Sequence, residues 1–219
     1  MTGIDEAFAL AGTYWAATMT INYHEGHRRL QDQFDSRRIA DRLDEVTART
    51  AFTDDDKTFI EGRIFFFVAT ATAAGHPTCN LKGGAPGFVR VIAPDVLAFP
   101  DYDGNGMFLS LGNIPANPHV GLLFIDFERP KRLRVDGEAC VSSDDPLIGR
   151  TVGAQLIVRV KARAIYPNCP RYIPKMQLIE PSIYAPRAGV DPPEPAWKGF
   201  PEFKDAVHKR HKTYRGANE

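Results

Sequence analysis

The chain has 219 residues, 43% hydrophobic and 25% charged, which is the balance of an ordinary globular protein with one sizeable core. Its 27 basic and 27 acidic side chains cancel, so no polyanion-seeking surface is implied and an anionic ligand must be met by a local basic group. No apolar run approaches the length of about 18 residues that a membrane span requires. Asp5 and Glu6 stand where an export signal carries Lys or Arg, and Cys79, Cys140 and Cys169 lack the number and spacing of a disulfide framework or metal site. These features read as a cytoplasmic protein with reduced thiols.

Residues 1 to 22 are weakly patterned and read as an arm. From His24 to Thr50, Leu30, Phe34, Ile39, Leu43 and Val46 recur at spacings of three to five among charged residues, which predicts one amphipathic helix. Thr53 before Asp54, Asp55 and Asp56 reads as an N-cap with acids in the first turn of a short helix through Ile60. Extended runs follow at 64–72, to Lys82, at 88–93, 96–99, 120–127, 132–141 and 154–166, with one helix at 109–117. Six or seven strands within roughly 100 residues suit an antiparallel barrel rather than βαβ units. Residues 167 to 201 are proline-rich and form a long wrap, and Phe203 to Tyr214 reads as a short basic helix. The implied organisation is an N-terminal arm and helix (1–52), a barrel (53–166), and a wrap with a terminal helix (167–219).

Two segments carry chemistry. In 101–120, a strand gives way to a Gly104-Asn105-Gly106 loop and a short helix near Ser110, with Asn105, Ser110 and Asn113 as polar groups suited to a phosphate. Read alone, the loop is more simply a turn whose glycines supply positive φ. In 82–90, three glycines and a proline invite close backbone approach to a ligand, bracketed by Lys82 and Arg90, which read equally as solvated strand ends.

Taken in order, several motifs resemble the pyridoxamine 5′-phosphate oxidase family, the FMN-binding split barrels. They are residues 67–71 (FVATA), Gly75-x-Pro77, 82–90 (KGGAPGFVR), Gly104-Asn105-Gly106, Ser110-Leu111-x-Asn113-Ile114, Asn117-Pro118-x-Val120 with Gly121 to Phe124, and Leu133-Arg134-Val135-x-Gly137. The resemblance implies a mainly β (α+β) fold, a six-stranded antiparallel split β-barrel with N-terminal helices and a short helix between strands four and five. It also implies a homodimer with FMN at the interface. By position it assigns Lys82, Gly83, Arg90, Asp101, Asn105, Ser110, Asn113 and Arg132 to the cofactor, with Arg132 in place of a family glutamine that reaches the ring. The chain departs from the oxidase pattern at Leu109-Ser110, where the oxidase has an Arg-Lys pair, and at Gly106, where many relatives have arginine. The implied activity is FMN-dependent hydride transfer with an unidentified small molecule; the alternatives are deazaflavin or haem as cofactor, or flavin binding without catalysis. No catalytic acid or base is identifiable.

The other candidates read more simply. His24 and His27 are three apart, not four as in a H-E-x-x-H zinc helix, and mark a helix start. His208 and His211 belong to a basic tail, Cys79 reads as a small strand residue, and Trp197 as a packing anchor. The stretch from Tyr166 to Tyr172 is either a structural corner or a cap over the ring.

Overall fold

The structure is a computed structural model, and it describes residues 20 to 207. The arm up to residue 19, His208, His211 and most of the expected terminal helix lie outside the described residues.

Among the described residues, four α-helices and seven strands form the fold: α1 (Glu25–Gln33), α2 (Arg37–Thr47), α3 (Asp54–Glu61), β1 (Phe65–Ala71), β2 (Pro77–Gly83), β3 (Arg90–Ala93), β4 (Val96–Asp101), α4 (Leu109–Asn113), β5 (His119–Asp126), β6 (Lys131–Ser142) and β7 (Leu156–Pro167). All strand pairs are antiparallel, in the order β2-β1-β5-β6-β7-β4-β3. The sheet therefore has seven strands rather than the six expected, and β2 and β3 are left as its two edges. The run expected at 88–93 is β3, only four residues long, which pairs with β4 through an irregular register between Val91 and Ala93.

The core follows from strand alternation. Phe66 and Val68 of β1, Leu122 and Phe124 of β5, Leu133 and Val135 of β6, and Leu97 and Phe99 of β4 are buried on the inner face. Phe66 is fully buried at the centre, its ring 5.0 Å from those of Phe99 and Phe124 and 5.9 Å from Phe88. A side chain of this size contributes about 1.5–3 kcal/mol by burial. Gly84 fits beside this cluster because a Cβ there would lie 2.5 Å from the Phe88 ring.

The capped helix is present as expected. Thr53 Oγ1 accepts from the Asp56 amide (3.2 Å) and Asp56 Oδ2 accepts from the Thr53 amide (3.0 Å), closing a capping box on α3. Asp56 also pairs with Arg49, whose backbone exchanges two hydrogen bonds with Ile165 of β7. That ties the segment before α3 to the sheet.

The single helix expected over 24–50 is two helices, broken at Asp35 with φ of 48°. Its apolar stripe is exposed: Phe34 is 72% and Val46 70% accessible, and Leu30, Ile39 and Leu43 are each half accessible or more. The sole buried side chain of α2 is Asp44, whose carboxylate accepts from the Ile21 amide at 3.0 Å. Among the described residues no helix is long and apolar enough to cross a membrane.

Candidate functional site

β2 alternates between its two faces. Thr78, Asn80 and Lys82 stand opposite Thr70, Val68 and Phe66 of β1, all three buried, so these polar side chains share the inner face. They meet the loop and helix that follow β4. Lys82 Nζ lies 2.8 Å from Asp101 Oδ1, and Gln155 Nε2 donates to Asp101 Oδ2 at 2.8 Å and to the Tyr102 carbonyl at 3.0 Å. Asn80 Nδ2 donates to Ser110 Oγ at 2.6 Å. Deeper along the strand, Asn113 Nδ2 donates to Thr70 Oγ1 at 3.0 Å, and that hydroxyl pairs with Thr78 Oγ1 at 3.0 Å.

These contacts have a topological consequence. Lys82 belongs to the edge strand β2, and Asp101 to β4, one strand in from the opposite edge. The ion pair and the Asn80–Ser110 bond bridge the seam that the backbone ladder leaves open.

An open cavity of about 140 Å³ lies at this seam, lined by Asn80, Lys82, Asp101, Tyr102, Ser110 and Gln155 and by the loop Gly104 to Leu109. The loop is shaped locally: Asn105 Oδ1 accepts from the Met107 amide at 3.0 Å, Gly106 has φ of 78°, and Phe108 has φ of 49°. Asp101 and Ser110 are buried, while Met107, Phe108 and Leu109 are exposed at the rim. Burial pushes the Tyr102 phenol up to about 12, against the opposing charge of Arg90.

Of the residues assigned from the sequence, the cavity gathers Lys82, Asp101, Asn105 and Ser110. Gly83 ends β2 opposite Phe65, and Asn113 supports the wall through Thr70. Arg90 lines no part of it: its Nε donates to the Gly87 carbonyl (3.1 Å) and its Nη2 to the Arg150 carbonyl (3.4 Å). Arg132 alternates with buried Leu133 and so belongs to the outer face, where its Nε is buried with no hydrogen-bond partner among the described residues. Asn80, Tyr102 and Gln155 were missed by sequence reasoning. The signal for Asn80 was present, since it alternates with Lys82 two positions on.

The residues fit the polar tail of a flavin nucleotide better than its ring. Amides, hydroxyls and one ammonium suit a phosphate and polyol, and the cavity is small for a tricyclic system. Its charge is balanced internally, because Asp101 already neutralises Lys82.

Residues 52–183 match the family model described as pyridoxamine 5′-phosphate oxidase. No curated protein matches the chain. Similar solved structures include HupZ of Group A Streptococcus (20% identical, 53% of this chain and 93% of that one, TM-score 0.43). An FMN-binding protein of Syntrophomonas wolfei is 13% identical over 65% of this chain and 96% of that one, with TM-score 0.41. HutZ, the heme storage protein of Vibrio cholerae, is 19% identical over 49% of this chain and 87% of that one, with TM-score 0.38. With the family model spanning more than half of its length, across the seam and all seven strands, the chain belongs to the pyridoxamine 5′-phosphate oxidase family.

Proposed function

We propose that the protein is an FMN-dependent oxidoreductase that works as a homodimer. The observation that carries this reading is the seam cavity, where Asn80, Lys82, Asp101, Ser110 and Gln155 converge beside a glycine loop within the family-matching region. Bound FMN would supply the hydride chemistry. Lys82 would hold the phosphate, exchanging part of its contact with Asp101 for it, while Asn80, Ser110 and the loop amides orient the polyol. Gln155 keeps the Asp101 carboxylate fixed.

The outer sheet face supports a second copy beside the site. Phe65 and Phe67 of β1, Leu123 and Ile125 of β5 and the following Phe127 share that face, with exposed Leu81 of β2 next to them. Arg132 on the same face holds a buried Nε ready for an acceptor that a neighbouring protomer or a ring would bring.

The protein purified without added cofactor, or titrated with FMN, should show the flavin band at ~450 nm and lose it anaerobically with NADH or NADPH. A colourless protein that takes up no FMN would sink the reading. A yellow protein that neither nicotinamide bleaches would leave binding and remove catalysis with these donors.

A further inference from the structure

We propose that Lys198, carried to the glycine loop by the C-terminal wrap, is a phosphate-binding cation of the seam cavity. The proposal rests on the FMN reading above and deepens it. Lys198 Nζ lies 2.7 Å from Asp103 Oδ2, a contact joining residues 95 positions apart. Asp103 stands between Tyr102 and Gly104, both of which line the cavity, so the ammonium is tied to the loop just outside the cavity wall. The lysine side chain is only 15% accessible, less than the 35% of its carboxylate partner. A surface lysine ordinarily extends into water; this one is drawn in.

The wrap is built to deliver it. Pro192, Pro193 and Pro195 fix the backbone that leads into a short 3₁₀ turn (Ala196–Gly199) containing Trp197 and Lys198. The Trp197 ring packs edge-on against Phe203 at 6.0 Å, which anchors the turn. Lys198 is therefore pre-positioned.

Charge explains the need. A phosphate carries close to two negative charges, yet residues 102 to 118 contain no Lys or Arg, and Lys82 and Lys198 are each matched by one carboxylate, so both ammonium groups are needed to meet it. One carboxylate takes one of the three N–H groups of an ammonium, and Asp103 acts as the positioning residue that keeps Lys198 at the loop.

Comparing FMN with riboflavin, which has no phosphate, tests this directly. Dissociation constants for both would be measured by flavin fluorescence with the full chain and with K198Q, K198R and K198E. K198Q should weaken FMN about tenfold while leaving riboflavin unchanged, K198R should retain FMN, and K198E should deepen the loss. FMN affinity unchanged in K198Q, or FMN and riboflavin weakened in parallel, would overturn the assignment while sparing the cofactor reading. A wild-type protein that binds neither flavin overturns both.

Discussion

Lys82 and Arg90 look alike in the sequence, two cations bracketing one glycine-rich run, and the structure gives them different work. Lys82 occupies an inward position on β2 and reaches Asp101, whereas Arg90 opens β3 and spends its guanidinium on the Gly87 and Arg150 carbonyls. Which way a cation points depends on the strand register. That register was legible for β2 from its alternation but not for a four-residue edge strand with an irregular pairing. Lys82→Ala should therefore weaken FMN binding about tenfold, the worth of one charge-assisted hydrogen bond, while Arg90→Ala leaves it unchanged. Fluorescence titration of the two variants side by side checks this; equal losses would contradict the separation.

Among the elements, α3 was the clearest in the sequence because its signal is local. Thr53 and Asp56 satisfy each other's amides within four residues, with nothing distant required. Thr53→Ala should cost about 1 kcal/mol, lowering the melting temperature by about 2–4 °C in a thermal unfolding scan. An unchanged midpoint would mean the cap is redundant with the Arg49–Asp56 pair. The region from His24 to Thr50 shows the opposite case. A 3.6-residue period reports that an apolar stripe exists and nothing about what lies against it, and here the stripe of Leu30, Phe34, Ile39, Leu43 and Val46 is exposed. The break at Asp35 escaped because a non-glycine residue in the left-handed region leaves no compositional mark. Gln155 was hidden for a related reason: its partners Asp101 and Tyr102 are more than 50 residues away.

At the scale of the whole molecule, the sheet turns one apolar face to its own core and a second, with Phe65, Phe67, Leu123 and Ile125, outward. We propose that the second face meets another copy. Sedimentation should give twice the chain mass of 24.3 kDa, and Leu123→Glu should shift it to one chain by placing a charge in that face. A monomeric wild type, or a variant that still sediments as a pair, would remove the dimer from the proposal. Strand count and positions along the chain were largely legible, because alternation and turn residues mark strands, while their spatial order came only from the pairing. The open ends of the sheet were not, since closure is decided by which edges meet.

That opening gives the seam a mechanical meaning. Strand β2 is held across it by side chains, Lys82 to Asp101 of β4 and Asn80 to Ser110 of α4, where elsewhere the backbone ladder does the joining. A molecule lodged among those side chains becomes mortar in the wall. By mass action, whatever fills the gap stabilises the folded sheet, so shedding that occupant and loosening the masonry around it are two descriptions of a single event.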